Sequence, residues 1–177
     1  MKIIFPMKSA FCTLVVLSVL VAMFSCQKPV SYPAAPQISL KSYEFKTAVD
    51  TTTQATGKLL NITINFTDGD GDLFNPYRDT VTLRAKVHMV FYHKVSNDFV
   101  LVPDSFWKTP YIFTLPYSSD MERNGQNKTQ KGTIEFSNFF FSQPPFPFDT
   151  VMVGCTIMDM SFNTSNEVRL PKPLAFN

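Results

Sequence analysis

The chain has 177 residues, and its 16 Lys and Arg against 14 Asp and Glu give a formal charge of only +2. Lys2 and Lys8 account for that excess, and every acidic residue follows position 26, so the rest of the chain is close to neutral. A neutral chain without a dense basic stretch lacks the electrostatic footprint of nucleic-acid binding, so no nucleic-acid partner is expected.

The first 26 residues have the layout of a bacterial lipoprotein signal peptide. Two lysines precede an apolar run from Phe11 to Phe24, and Ser25 then precedes Cys26. The run is too short for a transmembrane helix, which needs about 20 apolar residues. We expect residues 1–25 to form a helical signal peptide that is removed, and Cys26 to carry the lipid anchor. An ordinary secretory signal or an uncleaved anchor is the alternative.

The segment after the signal, residues 26–36, contains three prolines and no periodic apolar pattern, which predicts an extended lipidated tether. Residues 37–177 then form the domain. Of the three cysteines, Cys12 leaves with the signal and Cys26 is acylated, so Cys155 cannot form an intramolecular disulfide. Because apolar residues alternate around it, Cys155 is expected to be a small buried side chain.

Alternation of apolar and polar residues with a period of two predicts half-buried strands in this domain. The pattern is clearest in Leu60–Thr67 and Val81–Phe91. The predicted strands are Ile38–Phe45, Leu60–Thr67, Val81–Phe91, Phe99–Val102, Tyr111–Leu115, Gly132–Ser137, Thr150–Asp159 and Glu167–Leu170. The Pro-rich stretch Phe139–Asp149 is interpreted as a loop. The sequence therefore predicts an all-β fold, an antiparallel sandwich of seven to eight strands.

Two segments resemble those of Bacteroidota-type lipoproteins with an immunoglobulin-like β-sandwich domain. Ile62–Asp72, which reads ITINFTDGDGD, is similar to their strand followed by an acidic loop. Ile157–Val168, which reads IMDMSFNTSNEV, is similar to the last hairpin of bacterial immunoglobulin-like domains. The residues Met23-Phe24-Ser25 before Cys26 are similar to the lipobox of this group. The resemblance implies an immunoglobulin-like fold and a cell-envelope location, and it implies no activity.

Asp68, Asp70 and Asp72 place three carboxylates within five residues, and the glycines between them allow the backbone to turn. Two such charges about 5 Å apart repel by roughly 3 kcal/mol at an effective dielectric near 20, and a bound cation removes that repulsion. Oxygen ligands in a flexible loop favour Ca²⁺ as a structural cofactor. A solvated Asp-Gly turn is the alternative interpretation.

Three further residues complete the candidate metal site. Asp79 falls where an EF-hand loop has its twelfth-position acid, but strands rather than helices flank the loop, so an EF-hand is rejected. In immunoglobulin strand order, the loop after the second strand and the loop between the last two strands lie at one end of the sandwich. Asp159 and Asn163 are therefore expected to approach the acidic loop.

Trp107, with Phe106 and Tyr111, offers aromatic rings that either stack on a glycan or close the end of the sandwich. His88 and His93 lie five residues apart on one strand and point to opposite faces, so they do not form a metal pair. The chain contains no nucleophile elbow, phosphate-binding loop or zinc motif. Enzymatic function is therefore not expected.

The expected function is that of a non-enzymatic, membrane-anchored lipoprotein of the cell envelope, with its domain as a binding or structural module. Its expected partners are the membrane, through the lipid anchor, and either a glycan or another envelope protein. The outer membrane is the expected location. A surface glycan-binding lipoprotein of a polysaccharide-uptake system is the alternative, and a hydrolase with paired carboxylates is the third interpretation.

Overall fold

The structure is a computed structural model, and it describes residues 31–73, 85–115, 129–142 and 146–176. The expected signal peptide, Cys26 and Asp79 lie outside the described residues. From Tyr32 onward the chain forms a single unit. Across the described ranges there is no α-helix, and hence none with the length and apolar character that would let it cross a bilayer.

Nine strands and one turn of 3₁₀ helix make up the described chain. They are β1 (Gln37–Val49), β2 (Thr56–Asp68), β3 (Lys86–Val95), β4 (Asp98–Val102), the 3₁₀ turn (Asp104–Phe106), β5 (Ile112–Thr114), β6 (Gln130–Phe141), β7 (Thr150–Met158), β8 (Val168–Arg169) and β9 (Leu174–Ala175). The first sheet has the order β1-β2-β6. The second has the order β4-β3-β7-β8, with β5 also paired to β3 and β9 to β7. All these pairings are antiparallel, which confirms the predicted all-β class.

The alternating apolar residues of the sequence form the buried faces of both sheets. In β2 the four apolar residues of the predicted strand are at most 3% exposed, and β3 and β7 repeat the pattern. These core residues are Leu60, Ile62, Ile64 and Phe66 in β2, Val87, Met89 and Phe91 in β3, and Val151, Val153, Cys155 and Ile157 in β7. Burying each large side chain contributes roughly 1.5–3 kcal/mol, so a single core shared by both sheets stabilises the domain.

The strand β6 is longer than the sequence pattern predicts. It continues to Phe141, so the interpretation of Phe139–Phe141 as a loop is wrong. Pairing with the first residues of β2, down to Gly57 opposite Phe141, supplies the backbone hydrogen bonds of this extension. The sequence does not indicate a strand here, because three consecutive phenylalanines show no alternation of apolar and polar residues. In the structure only Phe140 of the three is buried.

Asn166 joins the two sheets near the point where β2 ends. Its side chain accepts a hydrogen bond from the Ile38 N–H and donates one to the Ile38 carbonyl, each 2.9 Å long. Ile38 is the register partner of Phe66, two residues before Asp68. This contact holds the β7–β8 connection against the end of the first sheet, which places Asp159 close to Asp68.

Candidate metal centre

Four aspartates from two sheets meet at one end of the domain. Asp68 is the last residue of β2, Asp70 and Asp72 lie in the loop that follows, and Asp159 comes directly after β7. One carboxylate oxygen from each residue lies within 4.8 Å of the others. The structure therefore brings Asp159 to the acidic loop.

The acidic loop wraps around the Asp68 carboxylate. Asp68 Oδ2 accepts hydrogen bonds from the backbone N–H groups of Asp72, at 2.9 Å, and Leu73, at 3.0 Å. Gly71 adopts a positive φ of 72°, which glycine tolerates without steric cost, and this lets the chain turn back. Leu73 is buried in the core and anchors the far end of the turn.

Asp159 is oriented by its own hairpin. The backbone N–H of Asn163 donates to Asp159 Oδ1 at 2.7 Å, and the Asn163 side-chain amide donates to Asp159 Oδ2 at 2.9 Å. Ser161 donates its hydroxyl to Asp72 Oδ2 and so links the hairpin to the acidic loop. Asn163, which the sequence predicts as a ligand, therefore donates hydrogen bonds that position Asp159. The Ser161 contact was not predicted, although Ser161 lies between the predicted site residues Asp159 and Asn163.

Burial sets the electrostatics of the site. Asp68 is 0% exposed and Asp159 is 1% exposed, whereas Asp70 and Asp72 are half-buried. Burial raises the pKa of Asp68 to about 7, with further contributions from the neighbouring carboxylates of Asp70 and Asp72. Burial also raises the pKa of Asp72, and the Ser161 hydrogen bond partly offsets that rise.

Three oxygens of the cluster are buried and have no hydrogen-bond donor among the described residues: Oδ1 of Asp68, of Asp70 and of Asp72. A buried polar atom without a partner costs about 1–3 kcal/mol, and more when it is charged. A cation that these oxygens coordinate would remove that cost and the mutual repulsion together. The alternative of a solvated turn does not account for Asp68 and Asp159, because neither side chain is in contact with solvent.

The first residues of the described chain lie against the acidic loop. The Gly69 N–H donates to the Pro33 carbonyl at 3.0 Å, and the Thr129 hydroxyl donates to the Gly69 carbonyl at 3.4 Å. A Cβ at Gly69 would lie 2.2 Å from the Pro33 oxygen, so only glycine allows this approach. The end of the tether therefore docks beside the candidate metal centre, a contact that the sequence does not predict.

The three aromatic residues expected at a glycan site have different environments. Trp107 and Tyr111 are half-buried and pack against the core, with ring centroids 5.1 Å apart and each about 5 Å from Phe91. Phe106 is 52% exposed. The Trp107 ring also stacks on Phe146 at 5.6 Å, so most of its surface serves packing.

The remaining candidate groups have structural surroundings. Cys155 is buried as predicted, and burial raises the pKa of its thiol to about 12. His88 contacts Asp104 at 3.0 Å, and His93 stacks on Phe148 at 4.7 Å. A scan against protein-family models, a search of curated proteins and a search of solved structures find no match to this chain. Its function is therefore inferred from its own residues.

Proposed function

We propose that this chain is a non-enzymatic, lipid-anchored protein of the cell envelope whose immunoglobulin-like sandwich is stabilised by a Ca²⁺ ion. The ion is held by Asp68, Asp70, Asp72 and Asp159. The domain serves as a binding or structural module on the membrane, and Cys26 carries the acyl chains.

One observation carries the metal site: Asp68 is completely buried, and its Oδ1 has no hydrogen-bond donor among the described residues. Its other oxygen accepts hydrogen bonds from two backbone N–H groups, which fix the side chain, and one Asp68 carboxylate oxygen lies within 4.8 Å of an oxygen from each of Asp70, Asp72 and Asp159. A carboxylate held in this way, close to three others, has the arrangement of a cation ligand.

The donor set favours Ca²⁺ over the other common divalent cations. Four carboxylates supply hard oxygen ligands, and Ca²⁺ accepts six to eight oxygens at flexible angles. Mg²⁺ demands near-ideal octahedral geometry, which is harder to provide when the ligands come from two segments, the loop after β2 and the hairpin after β7. The burial of Asp68 and Asp159 supports a structural role, since neither side chain is placed to reach a substrate.

The strand order supports the immunoglobulin-like assignment. Immunoglobulin sandwiches place the A, B and E strands in one sheet and the C, F and G strands in the other. Here β1, β2 and β6 form one sheet, and β3, β7 and β8 lie in the other, in the matching order along the chain. The β4 strand, which follows β3 at its edge, corresponds to the additional C′ strand of variable-type domains.

The metal site is tested by differential scanning calorimetry of the full-length protein in Ca²⁺, in Mg²⁺ and in EDTA. At a free Ca²⁺ concentration of 100 times Kd, the folded state gains about 2.7 kcal/mol, which corresponds to roughly 8 °C in Tm for a domain of this size. Mg²⁺ at the same concentration is expected to give a smaller rise. The same Tm in Ca²⁺ and in EDTA would refute the metal site.

The lipid anchor is tested separately. Mass spectrometry of the protein recovered from membranes is expected to show acyl chains on an N-terminal Cys26, and a Cys26→Ser variant is expected to leave the membrane fraction. An unacylated mature N-terminus would contradict the anchor while leaving the metal site intact.

A glycan-binding role is the second candidate. A shallow groove is lined by Trp107, Pro110, Tyr111 and Asn138, so a sugar ring in it would meet aromatic side chains. Affinity gels with a set of polysaccharides test this role, with Phe106→Ala as a control that alters an exposed ring outside the groove lining. The glycan-binding role would be favoured if Trp107→Phe reduces retention on a polysaccharide gel and Phe106→Ala leaves it unchanged.

A further inference from the structure

An exposed phenylalanine stands at the tip of the hairpin that holds Asp159. Phe162 is 67% exposed, the highest value among the large hydrophobic residues that the structure describes. Its φ of 66° is the left-handed conformation that glycine and asparagine adopt more readily than a bulky side chain. A large apolar side chain in this conformation at the tip of a hairpin points to a role outside the domain core.

Phe162 is tied to the metal centre through its neighbours on both sides. Ser161 donates to Asp72, and Asn163 donates twice to Asp159. The Phe162 N–H also donates a hydrogen bond to the Asp159 carbonyl, at 3.3 Å. A cation that fixes Asp72 and Asp159 therefore also fixes the direction in which Phe162 projects.

The chain enters the domain at the same end. Gly69, in the middle of the acidic loop, holds the Pro33 carbonyl, and Lys131 contacts the Tyr32 hydroxyl from the start of β6. Five residues lie between Cys26 and Tyr32, and the six extended steps from one to the other span at most about 22 Å. A lipid anchor at Cys26 would keep Tyr32, whose carbonyl lies beside Gly69 of the acidic loop, within that distance of the anchored residue.

We infer that the metal-bearing end of the domain lies directly on the bilayer, with Phe162 inserted at the interface and the bound Ca²⁺ coordinating headgroup phosphate oxygens. This inference rests on the proposed function, because it needs both the anchor and the cation. The partner of this end of the domain is the phospholipid surface.

The chemistry of the site fits that surface. One Ca²⁺ cancels two of the four carboxylate charges that would otherwise repel phosphate groups. Four protein oxygens leave two to four of the six to eight Ca²⁺ coordination positions for other oxygen ligands. Asp70 and Asp72 are partly exposed whereas Asp68 and Asp159 are buried, so the loop side of the site is the side nearest to solvent. Aromatic side chains are favoured at the headgroup level of a bilayer, where Phe162 would lie.

The experiment places an environment-sensitive fluorophore at position 162 of the full-length acylated protein. A Phe162→Cys variant can be labelled selectively, because Cys26 is acylated and the Cys155 thiol is buried. A Phe106→Cys variant is the matched control, since Phe106 is also an exposed aromatic residue. Its ring contacts Phe148, which precedes β7, whereas Phe162 follows the other end of that strand.

Both proteins are reconstituted in vesicles of phosphatidylethanolamine and phosphatidylglycerol that contain a lipid-borne quencher. In Ca²⁺ the label at 162 is expected to emit at shorter wavelength and to be quenched, and EDTA is expected to reverse both changes. The label at 106 is expected to stay in water throughout.

Emission from 162 that matches 106 in Ca²⁺ would overturn the inference. When calorimetry still shows Ca²⁺ stabilisation and mass spectrometry still shows acylated Cys26, that result counts against membrane contact alone. Loss of either of those two signals overturns the proposed function as well, so the two failures are distinguishable.

Discussion

The Asp68→Asn variant separates two effects of the acidic cluster on stability: the burial and repulsion of its charges without a cation, and the stabilisation that a bound cation would give. An asparagine can keep its carbonyl oxygen on the N–H groups of Asp72 and Leu73, because Asp68 Oδ2 already occupies that position. Its NH₂ group then replaces Oδ1, which is buried and has no hydrogen-bond partner among the described residues. The variant therefore loses a buried charge and gains a donor where the wild type has none.

Without a cation, this change is expected to stabilise the protein. The pKa of Asp68, about 7 against an ordinary 3.8, corresponds to at most about 4 kcal/mol of unfavourable free energy in the charged state. Water at the half-exposed Asp70 and Asp72 screens part of this, so we expect about 2 kcal/mol. In EDTA at pH 8 the Tm of the variant should exceed that of the wild type by roughly 6 °C.

With Ca²⁺ the order of the two proteins is expected to change. The wild type gains about 2.7 kcal/mol at 100 times its Kd, whereas the variant has lost one of four charged ligands and gains much less at the same concentration. The difference between the Tm values in Ca²⁺ and in EDTA is the quantity to compare. It should be large for the wild type and small for Asp68→Asn.

The pH dependence has a definite sign. Since the folded-state pKa of Asp68 is above the unfolded value, its contribution to stability is fully present below about pH 4 and is lost as the pH rises to about 7. Urea denaturation in EDTA should therefore show the stability difference between variant and wild type growing between pH 4 and pH 7. Above about pH 8 it should be constant.

Asp98→Asn is the matched control, because it makes the same substitution at an exposed aspartate, the first residue of β4. Its Tm should follow the wild type in both conditions within about 0.5 kcal/mol of stability. An Asp68→Asn variant that is less stable than wild type in EDTA at pH 8 would refute the electrostatic account. Equal Ca²⁺ responses in wild type and variant would show that Asp68 is not a ligand.

Three other outcomes follow from packing. Gly69→Ala should lower the free energy of unfolding, measured in urea, by about 2 kcal/mol, because the new Cβ would lie 2.2 Å from the Pro33 carbonyl oxygen. Gly154→Ala should lower it by less, because the nearest atoms to its Cβ belong to the flexible side chain of Glu167. Trp107→Ala should cost about 3 kcal/mol because its ring packs among core aromatics, and Phe106→Ala, at an exposed position, less than 1 kcal/mol. The Cys155 thiol should resist a thiol reagent at pH 8 until guanidinium unfolds the protein, since burial raises its pKa to about 12; reaction of the folded protein would contradict that burial.

Much of the fold was predictable because strand alternation reflects burial directly. In Leu60–Thr67 each apolar residue is buried in the core, and the neighbouring Asn61 and Thr63 are not. The approach of Asp159 to Asp68 was also within reach, because strand order alone decides which loops share an end of the domain.

Other features could not be predicted because they depend on packing between distant segments. The strand character of Phe139–Phe141 comes from pairing with the start of β2, some eighty residues earlier. The docking of Pro33 on Gly69 joins a proline-rich tether to an acidic loop, and neither segment alone signals the other. The packing of Trp107 likewise depends on rings from three different segments.

A cation at the candidate metal centre would stabilise the domain in a different way from a disulfide. Asp68, Asp70 and Asp72 belong to the end of the first sheet and Asp159 to the second, so one bound cation would join the sheets at a point where no disulfide does. A disulfide acts mainly on the unfolded chain and stabilises the domain by a fixed amount, whereas a cation that binds only the folded state stabilises it by an amount that rises with its free concentration. In EDTA the same four carboxylates repel each other, so the cluster destabilises the protein. A bound cation would therefore reverse the sign of the contribution that these residues make to folding.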